Sequence, residues 1–350
     1  MSTTVEDLHE PRVDTAWIAT HVFYASNTSP LIDECLGPLV AELREDGAIQ
    51  GWFFIRYWME GPHLRFRVKP TPGREGEVRQ RVARAVQDFL ERRPALYQIK
   101  PELAGDMYKS MFLMEYTEED WERRYGKGND MPLRDSNTFV EQEYEPEWAK
   151  YGGPVGVRIS EKHFEVSSDL VLRLLATTNM HVRPVQFGLA LQVMSVLIST
   201  FLQDPETERL FLRAYQSFWE SLLQQLPKKD QFVRTWEKMK DSLDGHLPRL
   251  QELCREDQQE ELSGFLRDWG THARDLRHQI EDATARGELL FAGQGDAVRQ
   301  VERDPARTLW ALLVPYVHMT NNRMGVSIVE EIYFAYLLEQ QLTLRLEGAS

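Results

Sequence analysis

The chain has 350 residues, 42% of them hydrophobic and 27% charged, a composition that fits a globular protein of one large or two ordinary domains and disfavours disorder. Its 55 acidic and 41 basic residues leave a net charge of -14, which opposes broad binding to nucleic acid or anionic lipid. Two cysteines, Cys35 and Cys254, are too few for a disulfide framework or a cysteine-rich metal site.

In chain order, Met1 to Asp14 carries Glu6, Asp7, Glu10 and Asp14 without an apolar signal core. No apolar run is expected to approach the roughly 20 residues of a membrane span, so a cytoplasmic protein with no membrane partner is expected. Residues 16–24, 52–58 and 63–68 are aromatic and β-branched and predict strands. Met59-Glu60-Gly61-Pro62 predicts the turn that makes the second and third a hairpin. Between Gly73 and Arg93, Val78, Val82, Ala85, Val86, Phe89 and Leu90 recur at helical spacing. Lys127 to Pro132 and Tyr151 to Pro154 read as loops.

From about Glu161 the pattern is helical: Phe164 to Leu175, Val185 to Leu202, Thr207 to Leu226, Gln231 to Cys254, and a charged stretch from Asp257 to Arg286. Asp304-Pro305 opens a further helix as N-cap and first-turn proline, Ser327 to Leu346 forms the last, and Asn321 to Gly325 is the expected break between them. The fold class is therefore α+β: a mixed portion over 1–160 and a mainly helical portion over 161–350, closely packed as one integrated domain.

Charge is uneven. Residues 51–100 hold 11 Lys and Arg against 5 Asp and Glu, a local +6 that leaves -20 for the rest. Such an island either focuses a small anion or an acidic peptide onto one face, or is merely a solvated helix surface. Within it, Trp52, Phe54, Arg56 and Trp58 share one strand face by alternation, and His63, Arg65 and Arg67 share one face of the next strand. Arg56 either stacks on tryptophan and pairs with an internal acid, or joins the other arginines in gripping a carboxylate. Lys150 stands beside Tyr151 and the Gly152-Gly153 pair, whose freedom at positive φ suits a tight turn or a close backbone approach. His318 lies on an apolar helix one turn before its end, as a core residue or a proton-exchanging one, with Asn322 and Arg323 just beyond. The sequence contains no GxGxxG, Walker A, HExxH, CxxC or GxSxG motif, and no histidine pair at metal-ligand spacing with a third candidate, so neither a cofactor nor a metal is expected.

Taken together, WFFIRYWMEGPHLRFRV, the central YEPEWAKYGGP with Glu161 and Phe164, and the late HMTNNRMG resemble, in order, the C-terminal domain of class I lantibiotic dehydratases, over roughly Trp17 to Leu346. This domain also occurs free-standing in thiopeptide pathways. The resemblance implies a lyase that takes the α-proton from glutamylated Ser or Thr of a ribosomally made precursor peptide and expels glutamate, leaving dehydroalanine or dehydrobutyrine. Carried over by motif, Arg56 and His318 match an arginine and a histidine of the elimination site, and Lys150 stands where the family has a second arginine. Arg56, Lys150 and His318 are thus the expected catalytic set. Tyr57, His63, Arg65, Arg67, Tyr151, Asn322 and Arg323 are the expected substrate-binding residues. The expected partners are the precursor peptide, leader and core, and a separate glutamylating dehydratase subunit that would handle tRNA; a homodimer is a further expectation. The alternative that the resemblance implies is a pyridine synthase, joining two dehydroalanines by formal [4+2] cycloaddition with loss of water and leader peptide. A non-catalytic peptide-binding scaffold is a third reading.

Overall fold

The computed structural model describes residues 16–99, 101–223, 229–292 and 299–348; the acidic start at 1–14 lies outside them. Strands β1 (Ile18–Phe23), β2 (Ile49–Tyr57), β3 (His63–Pro70) and β4 (Thr138–Gln142) form an antiparallel sheet in the order β2-β3-β1-β4. Alternation buries Ile18, Val22, Trp52, Phe54, Leu64, Phe66 and Val68 on one face. Between β1 and β2 the chain makes a short helix α1 (Ser29–Leu31), a π-helical stretch (Ile32–Leu36) and α2 (Gly37–Glu45). With α3 (Glu75–Arg92), whose Val78, Val82, Val86 and Phe89 are buried, these helices share one hydrophobic core with that sheet face.

Sequence periodicity does not reveal α1, α2, α4 (Pro101–Glu115), α5 (Glu118–Tyr125) or β4. For α5 the reason is size: it buries one side chain, Trp121, and is set by a capping box in which Thr117 and Asp120 satisfy each other's backbone amides. Met59, Tyr108, Phe112, Trp121 and Met131 form a separate small core beneath the tip of the hairpin.

The rest is a helical assembly of α6 (Gly153–Thr177), α7 (Arg183–Leu202), α8 (Pro205–Leu222), α9 (Lys229–Arg255), α10 (Gly264–Ala285), α11 (Pro305–Met324) and α12 (Ile328–Gly348), with a small hairpin of β5 (Leu290–Ala292) and β6 (Arg299–Val301). The α+β class is as expected. One expectation needs correction: the 20-residue α7 is long and apolar enough to cross a membrane. It is packed instead against α8, α9, α10 and α11, the position of a core helix. The expected break at Asn321 is also displaced. Asn321 to Met324 complete the last turn of α11, and the chain turns only at Gly325, in the left-handed region at φ 75°, where a Cβ would sit 2.9 Å from the Gln186 amide.

The sheet and the helices meet along the open edge of β2. The Phe54 amide donates to the Ser168 hydroxyl of α6 at 3.2 Å. The Arg56 amide donates to Asn322 Oδ1 at 2.9 Å, and Asn322 Nδ2 donates back to the Arg56 carbonyl at 2.8 Å. An edge strand that would otherwise present unpaired backbone groups is thereby sealed by side chains of α6 and α11. Asn322→Ala is expected to cost about 2 kcal/mol, because it leaves both groups without these partners; urea unfolding measures it.

Between α6 and α10 lies a buried imidazole pair, His163 Nδ1 and His272 Nε2 at 3.1 Å, with Thr320 Oγ1 3.3 Å from the other His163 nitrogen. Burial drives the His163 pKa well below its usual 6.5 and that of His272 down to about 4. Both therefore remain neutral in the fold at pH values where the unfolded chain binds protons. Stability contributed by this pair is complete above about pH 6.5 and is lost as the pH falls below it. The loss is expected as a falling thermal midpoint between pH 7 and 5, a fall that His163→Gln makes shallower while His272 continues to contribute.

Candidate active site

The hairpin register sorts the basic residues of β2 and β3. Tyr57 lies opposite His63, Ile55 opposite Arg65, Phe53 opposite Arg67, and Arg56 opposite Leu64. His63, Arg65 and Arg67 thus share one sheet face, as expected, but Arg56 points to the other. Trp58 falls in the connection after the end of β2, so it does not extend the Arg56 face. The expectation that Arg56 and the β3 arginines converge on one anion is not met.

On its own face Arg56 is tied to Thr28 Oγ1 and, at 3.4 Å, to the Arg323 carbonyl, with its guanidinium 6.0 Å from the Phe54 ring. Burial without a carboxylate lowers its pKa to about 10. The expected internal acid is absent among the described residues.

The opposite face is an aromatic and cationic ladder. Arg65 lies 3.4 Å over the Tyr57 ring, and its Nε is 3.4 Å from His63 Nε2. The other His63 nitrogen, Nδ1, is 2.9 Å from the Gly61 carbonyl, and the His63 ring stacks on His21 at 5.0 Å. Burial, reinforced by Arg65 and the other nearby arginines, lowers the His63 pKa to about 4 and that of His21 to about 2. These two imidazoles are neutral, His63 with polar contacts and His21 stacked upon it, and the positive charge on this face is carried by the Arg and Lys side chains. Arg67 continues the ladder 4.5 Å over Tyr144 and 5.3 Å over Phe53.

The ladder ends in a buried cluster. Arg323 is fully buried, 4.7 Å over Phe164 and 6.0 Å over Phe53, and donates to the Met319 carbonyl at 2.9 Å. Arg67 Nε and Arg323 Nε and Nη2 are buried without a hydrogen-bond partner. Burial lowers the pKa of Arg67 to about 10 and that of Arg323 to about 9. Neither guanidinium has a carboxylate within ion-pair distance among the described residues, an arrangement that suits aromatic faces and is costly in any less polarisable setting. Tyr151 is buried beside them, its pKa pushed up by burial. It is placed there by Gly152 and Gly153, at φ 82° and 78°, which turn the chain into α6.

Lys150 stays outside. Its ammonium is 3.2 Å from Glu147 in an exposed ion pair and 5.6 Å from the Tyr151 ring. Much of the basic island is similarly neutralised: Arg74 pairs with Glu77, Arg79 with Glu141, Arg81 with Asp46 and Arg93 with Glu34. Among the described residues, the hairpin cations without a carboxylate at ion-pair distance are Arg56, Arg65, Arg67 and Lys69.

His318 belongs to a different group. It lies one turn before Asn322 on α11, its side chain 22% exposed, with Nδ1 3.1 and 3.2 Å from the two oxygens of Glu331 on α12. Trp219 of α8 covers the imidazole at 4.7 Å between ring centres. Glu331 is fully buried and also accepts from the Tyr215 hydroxyl. No hydrogen bond, ion pair or ring contact joins His318 to Arg56 or Lys150 among the described residues, so the three do not form one contact cluster. Glu331, Tyr215 and Trp219 escape sequence reasoning: each lies at an ordinary helical position, and only the packing of α8 and α12 on α11 assembles them.

Residues 17–342 match the model of the family described as lantibiotic biosynthesis dehydratase, C-terminal. Comparison with curated proteins gives no match. Among solved structures, the chain is similar to the pyridine synthase TbtD from thiomuracin biosynthesis, with TM-score 0.71, 16% identity, and coverage of 95% of this chain and 99% of that one. It is also similar to TsrL, with TM-score 0.67, 17% identity and 95% coverage of both chains. The tRNA-dependent lantibiotic dehydratase MibB from Microbispora sp. 107891 aligns with TM-score 0.46 and 16% identity over 99% of this chain and 29% of that one. The family match spans nearly the whole chain: it belongs to the lantibiotic biosynthesis dehydratase C-terminal family, and so among proteins of ribosomal-peptide modification.

Proposed function

We propose that this family member is a cytoplasmic pyridine synthase acting on a dehydrated precursor peptide: it joins two dehydroalanines in a formal [4+2] cycloaddition, after which water and the leader peptide leave. The observation that carries the proposal is the separation of the expected elimination residues. Arg56 is turned to the far face of the sheet and bound to Thr28 and a backbone carbonyl, and Lys150 is engaged by Glu147 at the surface. A departing glutamate would thus lack the paired grip that elimination calls for. The end-to-end likeness in fold to a pyridine synthase supports the same reading.

Cycloaddition between a dehydroalanine and an amide-bearing partner requires a proton to move from amide nitrogen to oxygen, and expulsion of water and of the leader amide requires protons on the leaving groups. His318, partly exposed and held by a carboxylate, is the group suited to these transfers. Tyr57 and Arg65, half-buried at the outer end of the ladder, offer a ring and a donor against which an extended peptide can lie, with His63, Arg67 and Tyr151 buried behind them. Asn322 and Arg323 serve the fold instead, sealing β2 and filling the core. The dehydroalanines must come from a dehydrating enzyme acting earlier on the same peptide.

The test is incubation of the purified protein with a leader-bearing bis-dehydroalanine peptide and, separately, with a glutamylated peptide, followed by mass spectrometry. Release of leader together with loss of water from the first is the expected result. Loss of glutamate from the second, with the first unchanged, overturns the proposal in favour of elimination, and binding with neither change favours a scaffold.

A further inference from the structure

We propose that Glu331 and Tyr215 are positioning residues that hold His318 in a single tautomer and make Nε2 the nitrogen that exchanges protons with the peptide. The inference rests on the acid-base role given to His318 above. A carboxylate offers lone pairs only. With both Glu331 oxygens 3.1 and 3.2 Å from Nδ1, that nitrogen must carry the proton in the neutral ring, and the free lone pair falls on Nε2. Nε2 has no hydrogen-bond partner among the described residues, and the side chain is 22% exposed, so this is the atom that an incoming group can meet.

The carboxylate is itself fixed. Glu331 is fully buried, accepts from the Tyr215 hydroxyl, and lies in the first turn of α12, where the helix amides favour an anion. Burial and the adjacent Glu331 charge hold the Tyr215 pKa well above its usual value, so the hydroxyl keeps its proton and remains a donor. Trp219, tilted 42° to the imidazole at 4.7 Å, restricts rotation of the ring. Rotating His318 away from this geometry would break its bond to a buried anion, which makes the tautomer far more stable than in a solvated histidine. The buried imidazole pair of His163 and His272 lacks this feature: no carboxylate lies within ion-pair reach of either among the described residues.

Two measurements test the assignment. In protein labelled with 15N-histidine, the His318 resonances, identified by their loss in His318→Asn, are expected to show the Nδ1-protonated tautomer, and Glu331→Gln is expected to give a mixture of tautomers. In turnover of the peptide, Glu331→Gln is expected to lower kcat by about 10- to 100-fold with KM little changed, and to cause no further loss in a His318→Ala background. If Glu331→Gln does not fold, Tyr215→Phe, which keeps the ring, carries the same test with a several-fold loss. An Nε2-protonated neutral ring in the wild type, an unchanged kcat, or additive losses in the double variant overturns the proposal. If neither peptide is turned over, the proposed reaction fails, while the tautomer measurement by itself still decides the positioning role.

Discussion

His318→Ala is expected to lower kcat by about 10³-fold, to a residual turnover still measurable over long incubations, while leaving the helical fold intact. The size follows from the chemistry: amide tautomerisation and two leaving-group expulsions each need a proton transfer, and removing the exchanging group raises every such barrier. Alanine also deprives the buried Glu331 of one of its two side-chain partners among the described residues, Tyr215 being the other, so some stability is lost along with activity. His318→Asn separates the two effects. The asparagine amide can donate to Glu331 from about the position of Nδ1, but it cannot exchange a proton near neutral pH. The asparagine variant is therefore expected to be as inactive as alanine yet closer to wild type in thermal midpoint. An asparagine variant with wild-type kcat would remove His318 from the chemistry.

Gly156→Ala is expected to destabilise the protein by about 3 kcal/mol or more, a large effect for the addition of one methyl group. A Cβ at Gly156 would lie 1.7 Å from the Tyr151 carbonyl oxygen and 2.9 Å from its carbon. Both atoms are backbone, so relief requires moving the turn itself. That turn is held on its other side, where a Cβ on Gly152 would meet the Phe291 ring at 3.0 Å and one on Gly153 would meet Leu290 at 3.3 Å. Tyr151 cannot shift without disturbing the packing of Arg67 and Arg323 around Phe53 and Phe164. Urea unfolding at neutral pH measures the loss, and a Gly156→Ala protein of wild-type stability would refute the close approach.

Much of the secondary structure is legible because it rests on local periodicity. The 3.6-residue pattern of Val78, Val82, Val86 and Phe89 marks α3 to within two residues at each end, and Asp304-Pro305 marks the start of α11, with Asp304 Oδ1 accepting from the Ala306 amide. Elements that bury little, such as α5 with Trp121 alone, leave no comparable trace. Asn322 and Arg323 read as lying beyond their helix because Asn-Asn suggests a turn; in the fold Asn322 is worth more as the partner of β2 than as a cap.

The sequence by itself determined the α+β class, the family, the alternation that puts His63, Arg65 and Arg67 on one face, and His318 as a residue of interest. Only the tertiary structure decided on which side of the sheet Arg56 lies. Side chains on a strand alternate with a period of two, so the parity of the hairpin connection, which sets Tyr57 opposite His63, sends Arg56 away from the β3 arginines. Tertiary packing also decided what holds His318. The imidazole and Glu331 are 13 residues apart on two helices, and the distance between them depends on how α12 folds back after Gly325 and where α8 packs, neither of which is written in any local pattern.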